Sequence, residues 1–269
     1  MFPILVTAAN SFMSSFEVTS RYTSAITAAN GFNISGHIHY VEISLIPDFV
    51  TIGQYLKLLF GSPLYLGLFW NSVGITLPVI GGQMLISIPS AYAFEMSKFK
   101  YKEIVFFIYI TVMLMPLQVV LVPNFLMAEL LHINGTSLAV ILPGIFNPFG
   151  VFIIRQALKG MPKEYIEAAN VDGANHLQII ILIIRPMTAS AIAALTVLTF
   201  IEYWNVVDQA VVFIKDSSAE PLSVYLSRLG NESFGMIFAA SCFYMLPPVF
   251  VFLFGHNNMV EGIQLSGIK

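Results

Sequence analysis

Long stretches of the chain contain no charged side chain. In four intervals, neighbouring Asp, Glu, Lys or Arg residues are further apart than the roughly 20 apolar residues that a helix needs to span a bilayer. Because an ionised group is costly in the hydrocarbon core, each interval is predicted to cross a membrane as a helix. The intervals lie between Lys57 and Glu95, Glu103 and Glu129, Glu129 and Arg155, and Glu232 and Glu261.

Two further segments are apolar but less regular. Leu177 to Trp204 is helix-like and contains Arg185 and Glu202, which would lie in or near the membrane. The opening run from Met1 to Phe16 is uncharged, but as a helix it reaches only about 24 Å against a core of about 30 Å. We interpret it as part of a first span; a cleavable signal peptide is the alternative, although no basic residue precedes the run.

These segments define a division of the whole chain. The apolar runs are continuous rather than alternating at every second residue, which favours helices over a membrane barrel. We predict an all-α fold, a polytopic transmembrane helical bundle of six spans with the first incomplete, forming a single domain over 1–269. Its predicted parts are a partial first span at 1–16, an extracytoplasmic segment at 17–65, core spans at 66–204, an extracytoplasmic loop at 205–234, and the last span with the C-terminus at 235–269.

The composition supports a membrane environment and argues against nucleic-acid binding, an internal disulfide and a metal site. Hydrophobic residues make up 57% of the chain and charged residues 10%, with a mean hydropathy of +0.80. The net charge of −3 provides no basic field for nucleic acid. Cys242 is the single cysteine, so no internal disulfide can form. No metal site is expected, because the five histidines lack ligand spacing. They are His37, His39, His132, His176 and His256.

The distribution of Lys and Arg predicts the orientation in the cell membrane. Positive charge in short connections is retained on the cytoplasmic side. One predicted face carries Lys98, Lys100, Lys102, Arg155, Lys159, Lys163 and Lys269. The other carries Arg21, Lys57, Lys215 and Arg228, spread over longer loops that are rich in acidic residues. The first face, with the C-terminus, is therefore expected to be cytoplasmic.

One polar segment between two spans contains residues typical of the start and the end of a helix. Pro162 suits a first helical turn and Gly173 suits a left-handed terminating position, which predicts a short helix over 162–173. Asn175 is then placed to cap the next span, with Gln178 completing a capping box. The segment is expected to be a helix on the cytoplasmic side.

One face of this short helix is small enough for close approach by another protein. Tyr165, Ala168, Ala169 and Asp172 recur at helical spacing. The alternative is that the helix lies flat on the lipid headgroups. Its acidic character would be repelled by an anionic leaflet, which favours docking to a protein.

The same segment carries a family resemblance. Glu167-Ala168-Ala169 is followed by Gly173, Ile183 and Arg185-Pro186 at the spacing of a known signature, with Arg where Leu is usual. In this, and in further short matches between about Asn71 and the C-terminus, the chain resembles the carbohydrate-type permease subunits of binding-protein-dependent ABC importers, the maltose-permease class. The resemblance implies that Glu167 makes a polar contact with a separate ATPase subunit. It also implies that Ala168 and Ala169 pack in a cleft of that subunit and that Gly173 makes the turn.

The resemblance also implies an assembly. A second, different permease would complete the pathway, two ATPase subunits would carry ATP and Mg²⁺, and an extracytoplasmic solute-binding protein would dock on the loops at 17–63 and 205–234. The solute would be a sugar. The sequence lacks the Gly-x-x-x-x-Gly-Lys-Ser/Thr phosphate-binding loop, so no cofactor and no catalytic residue is expected on this chain.

Candidate pathway residues lie at the outer end of the fifth span. Glu202, Tyr203, Trp204 and Asn205 combine groups that could bond and stack a sugar, although an interfacial aromatic belt is the alternative. For Asn71, interhelical hydrogen bonding is the alternative to solute contact.

Two other classes of protein compete with the importer. An ion-coupled transporter or channel would need acidic groups in the membrane, and only Glu202 and Arg185 approach that role. An intramembrane enzyme would need a catalytic constellation that the uncharged intervals do not contain.

Overall fold

The computed structural model describes residues 2–29, 46–61, 63–96, 99–229 and 234–266, without the side chains of 23–29 and 256–266. The described residues are largely helical, with two isolated β-bridges. The helices are α1 Phe2–Asn10, α2 Ser15–Ala29, α3 Gly53–Phe60, α4 Pro63–Met96, α5 Lys102–Met113, α6 Leu117–Leu130, α7 Leu138–Ile145, α8 Pro148–Lys159, α9 Glu164–Val171, α10 His176–Ile179, a π-helix Ile180–Ile184, α11 Arg185–Met187, α12 Ala189–Trp204, α13 Asp208–Phe213, α14 Leu222–Ser227 and α15 Phe234–Ser266. The all-α prediction is confirmed for this part of the chain.

Three helical stretches are long and apolar enough to cross a membrane. They are α4, the Leu138–Lys159 stretch formed by α7 and α8, and Phe234–Gly255 within α15. Two bent helix pairs raise the number of candidate spans to five if each pair counts as one. These stretches overlap the uncharged intervals, because both depend on the exclusion of charge from hydrocarbon, but the Leu138–Lys159 stretch also includes Arg155 and Lys159.

The bends are features that the uncharged intervals alone do not predict. α5 and α6 meet at 99°, and the segment His176–Met187 meets α12 at 78°. At the first bend the backbone of Pro116 is extended, with ψ of 145°. At the second bend the backbone of Thr188 is not helical, with φ of −103° and ψ of 17°. Proline removes a backbone donor and disfavours helix in the preceding residue, which accounts for the first break.

The opening apolar run is not one helix through residue 16. α1 ends at Asn10, the hydroxyl of Ser11 donates to the carbonyl of Ala8 at 2.6 Å, and Met13 pairs with Val50 in a β-bridge before α2 begins. Of the predicted 17–65 segment, residues 30–45 lie outside the described part, with His37 and His39 among them. So do Lys98, 230–233 and Lys269.

The chain separates into two compact units. The first comprises Met1–Asn71 and Pro221–Pro247. Its core includes Leu58, Tyr65 and Leu222, and the hydroxyl of Tyr65 donates to the carbonyl of Ala240 at 2.9 Å. A buried tyrosine hydroxyl needs such a partner, so this contact ties the start of α4 to α15.

Within the same unit a buried carboxylate organises the segment after α2. Glu17 accepts the backbone N–H of Asp48 at 3.0 Å and forms an ion pair with Arg21 at 3.2 Å. Arg21 also reaches the carboxylate of Asp48 at 2.6 Å. These contacts hold the 46–50 segment against α2.

The second unit comprises Ser72–Glu220 and Pro248–Lys269. Its helices approach closely where small residues meet: a Cβ on Gly150 of α8 would overlap the hydroxyl of buried Ser87 on α4. Between α4 and α12, the hydroxyl of Thr199 donates to Gln83 Oε1 at 2.6 Å, with both side chains buried. Small residues and interhelical hydrogen bonds are typical of packing between membrane helices.

A buried core in this unit includes side chains of α9, and we call it the α9 cluster. It joins α9 to α4, α5, α8, α10, the π-helix and α12. Its members are Ala91, Tyr92, Phe106, Val151, Ile154, Leu158, Ile166, Ala169, Ile179, Ile184 and Leu195.

Candidate functional site

The predicted short helix is present as α9, slightly shorter than expected. It begins at Glu164 and ends at Val171. Gly173 follows in the left-handed region, with φ of +79°, as predicted. A Cβ at Gly173 would meet no atom within 4 Å. The glycine is therefore required by its backbone conformation, which other L-residues adopt at a cost, rather than by lack of space.

The helix after the turn is capped as predicted. Asn175 Oδ1 accepts the backbone N–H of Gln178 at 2.9 Å, and Gln178 Oε1 accepts the backbone N–H of Asn175 at 2.8 Å. This reciprocal pair satisfies two donors that a helix start leaves unpaired. The capping box therefore defines where the next membrane segment begins.

The two faces of α9 differ in what they contact. Ile166 and Ala169 are buried in the α9 cluster. The expectation that Ala169 shares the exposed face is corrected here, because it is only 9% exposed and packs inside its own chain. The opposite side is exposed, including Tyr165 at 55%. We call this the outer face of α9; it consists of Tyr165, Glu167, Ala168 and Asp172.

The outer face is acidic. Glu167 and Asp172 on this face and the neighbouring Glu164 are exposed, and none forms an ion pair with another residue in the described ranges. An exposed carboxylate keeps its hydration at little cost, so it is free to contact a cationic group on a partner. The geometry matches a surface that can dock another protein, with Tyr165 and Ala168 as the apolar part.

A buried arginine lies next to α9, and the sequence interpretation missed its role. The sequence predicts Arg155 in a loop with the other cations, but it lies in α8 with no exposed surface. Its Nε contacts Glu95 Oε2 at 3.3 Å and its Nη2 contacts Glu103 Oε1 at 2.6 Å. Its guanidinium lies 3.8 Å from the centre of the Phe106 ring. The sequence did contain a signal for this ion pairing, because Glu95 ends one uncharged interval and Glu103 begins the next.

This arginine joins three helices. Glu95 lies near the end of α4, while Glu103 and Phe106 lie on α5. A charge buried without partners would be very costly, so α4, α5 and α8 are held at fixed separation here. A further link is the hydrogen bond of 3.0 Å between the Tyr92 hydroxyl and His176 Nδ1. α9 thus packs on a connected set of helix ends.

The structure separates the predicted pathway residues. Tyr203 and Trp204 are buried; Tyr203 packs on Gly144, and Trp204 stacks on Phe200 with ring centres 5.3 Å apart. A residue that lines a solute pathway or belongs to an interfacial aromatic belt must be exposed at the surface of its chain. Tyr203 and Trp204 are not exposed. Glu202 and Asn205 are exposed, and Asn205 Nδ2 donates to the carbonyl of Ile201 at 2.7 Å.

Asn71 is half-buried in α4, so its predicted role stays a prediction. Among the described residues, no group of three or more His, Cys, Asp or Glu side chains is arranged to hold a metal ion.

Two hydrogen bonds involve the described part of the 205–234 loop. The backbone N–H of Gly135 donates to the carbonyl of Phe213 at 2.9 Å, which joins the loop to the turn before α7. The backbone N–H of Ser218 donates to Asp216 Oδ1 at 2.9 Å and lowers the pKa of that carboxyl.

Several helices long and apolar enough to cross a membrane, with the short polar helix α9 between two of them, have the architecture of a polytopic membrane protein. The model of one family, the binding-protein-dependent transport system inner membrane components, matches residues 83–257. The chain belongs to this family.

Individual proteins are similar to the chain over most of its length. The arabinooligosaccharides transport system permease protein AraQ of Bacillus subtilis (strain 168) is 27% identical over 85% of this chain and 83% of its own. The osmoprotective compounds uptake permease protein GgtD of Synechocystis sp. (strain ATCC 27184 / PCC 6803 / Kazusa) is 31% identical over 75% and 70%. The lactose transport system permease protein LacG of Rhizobium radiobacter is 29% identical over 75% and 74%.

A solved structure confirms the fold. A chain of a bacterial ABC transporter involved in the import of the acidic polysaccharide alginate superposes with a TM-score of 0.75 at 21% identity. The match covers 95% of this chain and 89% of that one. The protein is therefore a multi-pass permease subunit of a binding-protein-dependent ABC importer.

Proposed function

We propose that this permease subunit imports a sugar or oligosaccharide and couples to a separate ATPase through the outer face of α9. The observation that carries the proposal is the division of α9 into an exposed acidic face and a face buried in the α9 cluster. The permeases for arabinooligosaccharides and lactose support the solute class. Coupling requires a surface that can contact the ATPase and is packed against the ends of the membrane helices, and α9 has both properties.

The contacts suggest how a displacement would pass into the membrane segments. A partner that pushes the outer face moves Ile166 and Ala169, which pack with side chains of α8, α10 and the π-helix. Arg155 holds α4, α5 and α8 together at the same level. Because packed cores respond as rigid bodies rather than by continuous deformation, the helix ends would move together.

The proposal includes an orientation and an assembly. The distribution of Lys and Arg supports a cytoplasmic position for α9 and the C-terminus, with the 205–234 loop on the opposite side, where a solute-binding protein would dock. A second permease would complete the pathway. ATP and Mg²⁺ would be bound by two ATPase subunits, and no cofactor or metal is assigned to this chain. Glu202, Asn205 and Asn71 remain its candidate solute contacts.

A matched pair of glycines tests the coupling. Gly173→Ala forces a left-handed alanine where there is room for its Cβ, whereas Gly160→Ala changes a nearby glycine with φ of −80°. The cost of the left-handed conformation is about 1–2 kcal/mol. We expect Gly173→Ala to lower ATP-driven uptake and recovery of the ATPase subunit on purification, and Gly160→Ala to leave both near the parent level.

Charge reversal on the outer face is a second test. Glu167→Lys should reduce recovery of the ATPase subunit while the amount of membrane-inserted permease is unchanged, because the Glu167 side chain is exposed and forms no ion pair among the described residues. Full recovery of the ATPase with Glu167→Lys and with Gly173→Ala would contradict coupling through α9. Uptake by this chain alone in liposomes without ATP would contradict the importer mechanism.

A further inference from the structure

An apolar groove runs along the second unit beside the break before α12. It is bounded by the π-helix, α11, α12 and residues 250–255 of α15, and its volume is about 900 Å³. Its wall is formed mostly by Ile, Leu, Val, Ala and Phe side chains, with Arg185 and Thr196 as the polar side chains among its lining residues. Phe250 and Phe254 are exposed along the groove. An exposed apolar surface of this kind needs an apolar occupant.

Arg185 gives the groove a charge. It is exposed and, within the described residues, has neither an ion pair nor a hydrogen bond from its side chain. Arg155 shows the contrast, since it contacts two carboxylates. A charged group in a membrane segment is costly unless it pairs with an anion or reaches the interface. The groove therefore combines apolar walls with a cation that requires an anionic partner.

The position of Arg185 favours the headgroup layer on the side where α9 lies. Arg185 follows Ile179 by six residues, about 9 Å along a helix axis. Helical side chains lean toward the helix N-terminus, so its guanidinium is directed back toward the α10 end. The long apolar stem of arginine can cover most of that distance and deliver the charge to the membrane surface.

We propose that this groove binds an anionic phospholipid, with the headgroup phosphate accepting hydrogen bonds from Arg185 and an acyl chain lying along the apolar wall. A sugar would require several convergent polar groups, and the lining provides only Arg185 and Thr196. Basic sites between membrane helices near the surface are suited to anionic headgroups. The base of the groove is formed by close packing, because a Cβ on Gly255 would lie 2.5 Å from Val197 Cγ2.

The test measures the lipid retained by the assembled transporter. The complex is reconstituted in vesicles of equal dioleoylphosphatidylglycerol and dioleoylphosphatidylethanolamine, extracted in mild detergent, and analysed by native mass spectrometry. We expect phosphatidylglycerol to be retained in preference. Arg185→Gln should reduce its retention about tenfold, equivalent to about 1.4 kcal/mol. Lys215→Gln, which removes an exposed cation outside the groove, should retain the parent amount.

Two further variants separate the parts of the site. Arg185→Lys keeps the charge and should retain most of the phosphatidylglycerol, even if Arg185→Gln fails to assemble. Ala193→Phe fills the groove without touching the charge and should reduce retention, which general charge attraction would not predict.

The proposal is overturned if Arg185→Gln or Ala193→Phe retains phosphatidylglycerol at the parent level, or if phosphatidylethanolamine is retained equally. Loss of the second permease from the Arg185→Gln complex, with lipid retention unchanged, would also overturn it and assign Arg185 to a subunit contact.

Discussion

Replacement of Arg155 by Met tests how α8 is held beside α4 and α5. The variant keeps an apolar stem of similar length and removes the guanidinium. It therefore removes the contacts to Glu95 and Glu103 and the cation–π contact to Phe106. Burial decides which contact matters most. The Glu95 side chain is 11% exposed and that of Glu103 is 66% exposed, although the Glu103 contact is the shorter one.

The magnitude follows from this difference. Removing one partner of a buried ion pair typically costs about 3–5 kcal/mol, because the remaining charge is left uncompensated. For chains of this size each kcal/mol corresponds to about 2–4 °C in the unfolding midpoint, so Arg155→Met should lower the midpoint by about 10 °C. Glu95→Gln should have a smaller but clear effect. Glu103→Gln should change the midpoint little, because water already screens that exposed carboxylate.

The assay is thermal unfolding of the purified transporter in detergent, followed by helical circular dichroism and by loss of the monodisperse peak in size-exclusion chromatography. Lys159→Met serves as the control, because it removes a cation from the same helix at an exposed position. A midpoint for Arg155→Met within 2 °C of the Lys159→Met value, or a larger loss with Glu103→Gln than with Glu95→Gln, would refute the reasoning.

Two further predictions concern helix packing in the second unit. Gly150→Ala should destabilise the protein by about 1–3 kcal/mol, because its Cβ would overlap the hydroxyl of a buried serine on α4. Gly74→Ala, with no atom within 4 Å of the added Cβ, should not lower the unfolding midpoint; equal effects would contradict the packing. Thr199→Val should cost about 0.6–1.7 kcal/mol by leaving Gln83 without its donor, as measured by thermal unfolding. Thr196→Val, which removes only a bond to its own helix backbone, should cost less, and the reverse order would exclude an interhelical role.

The short helix α9 was predictable because its boundaries depend on local chemistry. A left-handed glycine and the Asn175–Gln178 capping box act through backbone groups within a few residues, so the order of residues specifies them. The helix begins at Glu164, two residues later than predicted, and its terminating turn is at the predicted glycine. The local signals and the structure agree where the interactions are local.

The faces of the helices were not predictable in the same way. Helical spacing put Ala169 on one face with Tyr165, but the neighbouring helix ends bury Ala169 and leave Tyr165 exposed. Tyr203 and Trp204 are amphipathic residues that suit an interface equally well, and packing against Gly144 and Phe200 places them inside. Helical spacing identifies which residues lie on the same face of a helix, but not whether another helix packs against that face.

The sequence by itself determined that this protein is a multi-pass helical protein with a short helix between two membrane segments, because desolvation of charge, the glycine turn and the capping box that follows it act through neighbouring residues. Only the tertiary structure decided that Arg155 is buried between two acids, that two apolar segments bend, and that the groove beside Arg185 exists. Each of these depends on residues that are distant in sequence and brought together by packing. Their free energies become defined only when the helices meet.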